Sequence, residues 1–163
     1  MIRKQTKMTV ETAAGRLKAL CAASEQCSGD LRRKMARWGL TERQASMVIE
    51  ELERERFVDD FRFAKAYAHD KLLFSGWGRY KISQGLWAKG VGRDEIDEAI
   101  EALDPDDYRR KAYDIIKTRA RDMQPDRESK MKLLRFGAGR GFETSLLVKI
   151  INSPALWEVQ SPD

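Results

Sequence analysis

The sequence predicts an all-helical chain of three tandem three-helix repeats, stacked into an elongated, curved body. Apolar residues recur at intervals of three and four, β-branched runs are few, and neither Asn-Gly nor Asp-Gly marks a hairpin. Glycines stand where helices should stop, at Gly39, Gly90 and Gly141, each followed by one apolar residue, Leu40, Val91 and Phe142. Such a glycine takes the left-handed conformation that ends a helix, and the apolar residue after it packs back. Both intervals between these glycines are 51 positions, and the same offset aligns apolar residues on either side. Leu31, Ile82 and Leu133 correspond before the glycine; Ala45, Ile96 and Leu147, then Ile49, Ile100 and Ile151, correspond after it. With one helix preceding each such pair, the period describes a three-helix unit repeated three times.

The repeats are assigned to residues 9–56, 57–103 and 104–157. The first opens with a helix over Val10 to Ala23 that turns Ala13, Leu17 and Leu20 inward. Its last helix starts at a capping box, in which Thr41 and Gln44 satisfy each other's backbone donors. In the second repeat Asp59 caps a helix over Phe61 to Phe74, and Asp60 adds negative charge at its positive end. Ala64, Tyr67 and Ala68 face inward there. The third repeat starts at Asp104, whose carboxylate accepts an orphan amide, while Pro105 lacks the amide that would be orphaned. Tyr108, Ala112, Ile115 and Ile116 then line one face up to Arg119. Units this small draw stability from stacking on their neighbours. Residues 1–8 and 158–163 read as flexible tails, the first of them basic, with Trp157 docking on the last unit.

Composition narrows function by exclusion. The chain has 163 residues, 42% hydrophobic and 35% charged, which excludes a wholly disordered polyelectrolyte and predicts much exposed helical surface. Lys and Arg total 31 against 26 Asp and Glu, a formal +5 that favours an anionic partner. No apolar run approaches the roughly 18 residues that span a bilayer, and the basic start leads into no signal-peptide core; a cytoplasmic chain without a membrane partner is expected. Cys21 and Cys27 read as reduced thiols, and with a lone His69 they fall short of the about four ligands of structural zinc. That histidine shares its helix with Lys65, Asp70 and Lys71, and no nucleophile-base arrangement is evident. The pairs Asp59-Asp60 and Asp106-Asp107 open helices, and the Glu50-Glu51-Glu53-Glu55 run alternates with Arg54 and Arg56, as on a solvated face. A metal-dependent nuclease is therefore set aside, and a non-enzymatic chain without cofactor or metal is expected. Gly137-Ala138-Gly139-Arg140-Gly141 lacks the Gly-Lys-Ser/Thr of a phosphate loop and reads as the softened end of a helix.

The basic residues carry more weight, because they gather on the second helix of each repeat. Arg32, Arg33, Lys34 and Arg37 lie in the first. Lys71, Arg79, Lys81, Lys89 and Arg93 lie in or near it in the second; Lys130, Lys132, Arg135, Arg140 and Lys149 belong to the third. Stacked units would align such charges in a stripe suited to phosphates, which position a protein on a polymer without reading its sequence. Trp77 and Tyr80, beside Gly76 and Gly78, read as core packing and turn closure, with base stacking as the alternative.

Three segments resemble the RecX family. Arg56-Phe57-Val58-Asp59-Asp60-Phe61-Arg62-Phe63-Ala64 resembles its aromatic-or-Leu, Asp-Asp, Phe-Ala segment. Trp77-Gly78-Arg79-Tyr80-Lys81-Ile82 with Leu86, Lys89, Gly90 and Val91 is similar to its central stretch, and Lys132-Leu133-Leu134-Arg135-Phe136 through Arg140-Gly141-Phe142 to its closing one. The match covers roughly residues 28–153. The resemblance implies a regulator that binds the RecA recombinase filament on DNA and inhibits ATP hydrolysis and strand exchange, restraining recombination and the SOS response. Weak single- or double-stranded DNA binding through a basic face, and a monomer, are expected with it. Two positions depart from the family: Gly137, where a large apolar residue is usual, and Gly85, where an acidic one is frequent. The first is expected to loosen packing and the second to change surface charge. No catalytic residue is carried over. The alternative is a helix-turn-helix transcriptional regulator, against which the third helices count: Asp97, Glu98 and Glu101 in one, Glu50, Glu51 and Glu53 in another, would be repelled from a major groove.

Overall fold

The computed structural model describes residues 7–158. Most of the expected tails, 1–8 and 158–163, therefore lies outside the described residues. The described chain is all-helical: α1 (Val10–Ala23), α2 (Ser28–Arg37), α3 (Glu42–Arg54), α4 (Asp60–Leu73), α5 (Arg79–Ala88), α6 (Arg93–Glu101), α7 (Pro105–Ala120), α8 (Arg127–Gly139), α9 (Thr144–Ile151) and the short α10 (Pro154–Trp157). These fall into three successive triplets and a closing turn, the tandem order read from the 51-residue period.

Helix ends follow the local chemistry of the sequence. Thr41 and Gln44 form the reciprocal capping box at α3. Asp104 accepts from the Asp107 amide at 2.9 Å with Pro105 at the first turn of α7, and Asp59 accepts from the Arg62 amide at 3.1 Å. The three glycines adopt φ of +86° at Gly39, +79° at Gly90 and +94° at Gly141. Each closes its helix with the same bond pair. Leu40, Val91 and Phe142 donate to Met35, Leu86 and Gly137, while the glycine amides donate to Ala36, Trp87 and Ala138. Leu40, Val91 and Phe142 are all buried. One further ending was not visible in the sequence: Arg56, at φ +62°, closes α3 through Phe57 N–H to Leu52 and its own N–H to Glu53.

The described chain divides into two compact units. One holds the described residues up to Ala66 with Leu86–Glu98, and the other holds Tyr67–Gly85 with the described residues from Ala99. In the first, Ala13, Ala14 and Leu17 of α1, Leu31 and Met35 of α2, and Ala45, Val48, Ile49 and Leu52 of α3 build one core, edged by Met8, Trp38 and Phe57. In the second, Tyr108, Ala112 and Ile116 of α7 pack with Leu133 of α8 and Leu147 and Ile151 of α9. Trp157 docks as expected, its indole N–H donating to the Ile151 carbonyl at 2.8 Å. The aligned apolar positions are buried throughout, apart from Ile100, which is half-buried.

Gly137 does not loosen α8. The helix runs through it to Gly139, and a Cβ there would meet the Leu147 methyls at 2.4 and 2.8 Å and Ile116 at 3.2 Å. The missing side chain lets α7 and α9 close on α8, so the space is filled from the other side. Gly85 likewise is a packing residue: its Cβ would stand 2.2 Å from the Tyr67 hydroxyl.

Candidate nucleic-acid interface

Each unit contains a joint built on the same pair of positions, 51 residues apart. In the first unit the start of α2 abuts the turn that ends α5: the Cys27 thiol lies 3.6 Å from the Lys89 carbonyl, and a Cβ on Gly29 would stand 2.1 Å from that oxygen. In the second unit the start of α5 abuts the turn that ends α8. There Gly78 N–H donates to the Arg140 carbonyl at 2.8 Å and Tyr80 N–H to the Gly141 carbonyl at 3.1 Å. At the start of α5 two orphan amides thus find acceptors in the next repeat's turn. The Ser28 amide and hydroxyl donate instead to Asp60, at 2.8 and 2.5 Å, so the second of the two acids at α4 caps α2.

Lys89, Arg79 and Arg140, three of the expected binding cations, lie at these joints. Lys89 reaches Asp30 at 2.9 Å, and Arg33 reaches the same carboxylate at 2.5 Å. Burial pushes the Asp30 carboxyl up, but hydrogen bonds from Lys89 and Arg33 outweigh it and hold the group below the usual carboxylate range. Arg79 pairs with Glu143 at 3.0 Å and stacks 3.8 Å over the Tyr108 ring, whose hydroxyl donates to Glu143 at 2.7 Å and accepts from the Arg79 amide at 3.0 Å. Arg140 donates to the Ser75 carbonyl at 2.9 Å and lies over Phe136. The pairing of Arg79 with a carboxylate 64 residues away leaves no trace in the sequence.

The other expected cations sit nearer solvent. On α2, Arg32, Arg33 and Arg37 are exposed and Lys34 is half-buried, with Arg32 donating to the Ser46 hydroxyl at 3.1 Å. Arg93 is almost fully exposed, 3.8 Å from Asp97. On α8, Lys132 meets Glu128 at 3.2 Å, Lys130 reaches Asn152 at 3.4 Å, and Arg135 is exposed. Arg127, Met131, Lys132 and Arg135 share one open hollow of about 500 Å³. The offset that aligns the core does not align all the charge: Arg33 corresponds to Gln84 and Arg135, and Arg32 to Ser83 and Leu134. Sequence reading also missed Lys111 and Arg119, which with Phe136 and Arg140 line a groove of about 720 Å³ between α7 and α8. No cluster of three or more His, Cys, Asp or Glu that could hold a metal ion occurs among the described residues. Nor is any helix among them long and apolar enough to cross a membrane.

The fold defines a tandem three-helix-repeat protein whose second helices carry basic residues. Residues 59–100 match a family model described as RecX, second three-helix domain. Over 93% of this chain and 97% of the relative, the sequence is 26% identical to regulatory protein RecX of Acinetobacter baylyi. It is equally identical to regulatory protein RecX of Mycobacterium marinum over 82% of each chain. The crystal structure of RecX from Lactobacillus salivarius superposes with a TM-score of 0.79 at 17% identity, covering 87% of this chain and 94% of that one, a likeness of fold. The chain is thus similar to regulatory proteins named RecX over most of its length. The comparisons do not favour a helix-turn-helix transcriptional regulator.

Proposed function

We propose that this chain is a non-enzymatic regulator that binds the RecA filament on DNA and inhibits RecA ATP hydrolysis and strand exchange, so modulating recombination, repair and the SOS response. The observation that carries the reading is the nearly full-length likeness to a protein named as the regulator RecX. The repeats of residues 9–56, 57–103 and 104–157 act as a cytoplasmic monomer that needs no cofactor. Arg32, Arg33, Lys34, Arg37, Lys81, Arg93, Lys130, Lys132 and Arg135 serve as phosphate or filament contacts, while Arg79, Lys89 and Arg140 combine that role with holding the joints. Weak affinity for naked DNA follows from the net charge of +5.

Co-sedimentation with RecA on single-stranded DNA tests the reading. The chain is expected to pellet with the filament, and far less with RecA alone or DNA alone at physiological salt. Equal partition in all three mixtures would overturn it.

A further inference from the structure

Tyr80 was expected to close a turn, yet it is 63% exposed, and Phe74 at the end of α4 is 82% exposed. Between them in sequence lies Trp77, half-buried in the elbow that joins α4 to α5. The Lys71 ammonium lies 4.6 Å from its ring centre and the Lys81 ammonium 4.8 Å, one from each helix. Neither lysine is ion-paired among the described residues, in contrast to Arg79, Lys89 and Lys132. Tyr67 packs edge-on to Trp77 at 6.5 Å, also within 5.4 Å of Lys71. Gly85 makes this possible, because a Cβ there would strike the Tyr67 hydroxyl and crowd Trp77. Two ammonium groups held near one indole raise the local positive potential, which favours an anion bound beside them. Two solvent-facing rings beside a pair of unneutralised cations match what a flexible nucleic-acid strand offers, phosphates with unstacked bases. Duplex DNA keeps its bases stacked and has no use for the rings.

From this geometry we infer that the α4–α5 elbow is a stacking site for single-stranded nucleic acid, with Lys71 and Lys81 taking phosphates and Tyr80 and Phe74 each taking a base. It deepens the filament reading by naming where a strand is gripped, and to that extent rests on it.

The test is fluorescence anisotropy of a labelled oligothymidylate with the full chain and exposed-residue variants, each checked for an unchanged melting temperature. Tyr80→Ala and Phe74→Ala should each weaken binding about tenfold. The pair Lys71→Gln and Lys81→Gln should make the salt slope shallower by about 1.4 on a single strand. Met47→Ala, at an exposed residue of α3 outside the elbow and its basic residues, should change nothing. Oligothymidylate binding indifferent to all four elbow substitutions would overturn the proposal. So would dissociation of a dimer by Tyr80→Ala in sedimentation, which would make the elbow a self-interface. The filament reading fails separately: a chain that leaves RecA hydrolysis untouched, yet loses oligothymidylate through Tyr80→Ala, sinks that reading and keeps the elbow.

Discussion

Gly39, Gly90, Gly141 and Arg56 end helices in the left-handed conformation with the same pair of hydrogen bonds, and only the last carries a side chain. An L-residue there carries a penalty of about 1–2 kcal/mol, part of which glycine returns through its freer unfolded chain. Arg56→Gly should therefore stabilise by about 0.5–1 kcal/mol, read as a higher urea midpoint. Gly39→Ala, with open space around the new methyl, should destabilise by about 1 kcal/mol for conformational reasons alone. Equal midpoints for both variants and the parent would contradict this account of the turns. Cys27 supplies a pH prediction. Burial pushes its thiol from 9.0 up to about 11, and burial pushes the Tyr108 phenol up as well. Both folded states favour the neutral group, so their stability is fully present below the unfolded values and is lost as pH rises through the folded ones. The urea midpoint should hold up to pH 9.0 and fall between there and about 11, with Cys27→Ala removing part of the fall. The glycine turns were legible because glycine advertises its φ; Arg56 was not, because an exposed arginine gives no sign of a left-handed turn that leads Phe57 and Val58 back onto the core.

At the scale of elements, the starts of α3, α4 and α7 were readable from capping residues, and α1 falls on the span the apolar pattern assigns it. The joints were not, since they depend on backbone atoms of sequence-distant turns. Gly78 shows the difference. A Cβ there would stand 2.4 Å from the Gly141 carbonyl carbon and oxygen, which cannot move without shifting the turn. At Gly137 the obstacle is the ends of the Leu147 side chain, which can rotate. Gly78→Ala should cost about 3 kcal/mol or more and Gly137→Ala less, about 1–2 kcal/mol. Chemical denaturation measures both, and the reverse order would contradict the joint. Tyr108→Phe adds a polar counterpart. It strips Glu143 of a donor and the Arg79 amide of its acceptor, and should cost about 1–3 kcal/mol.

For the whole molecule, net charge and repeat period were enough to propose a binding protein, but not to sort its cations. Arg33 and Lys89 meet on one carboxylate, and Arg79 is committed to Glu143, through contacts that no local pattern encodes. At the aromatic elbow base stacking was legible for Trp77 and Tyr80 only as the alternative to core packing, since exposure of Tyr80 depends on which face of α5 is covered. If about four phosphates are gripped on duplex DNA, log affinity should fall with log salt at a slope of about −3.6; a slope near zero would point to a surface that binds protein only. The central claim is tested most directly by RecA-catalysed, DNA-dependent ATP hydrolysis with this chain titrated in below the RecA concentration. Strong inhibition at a small fraction of RecA is the predicted result. Undiminished hydrolysis at equal concentration and low salt would contradict it.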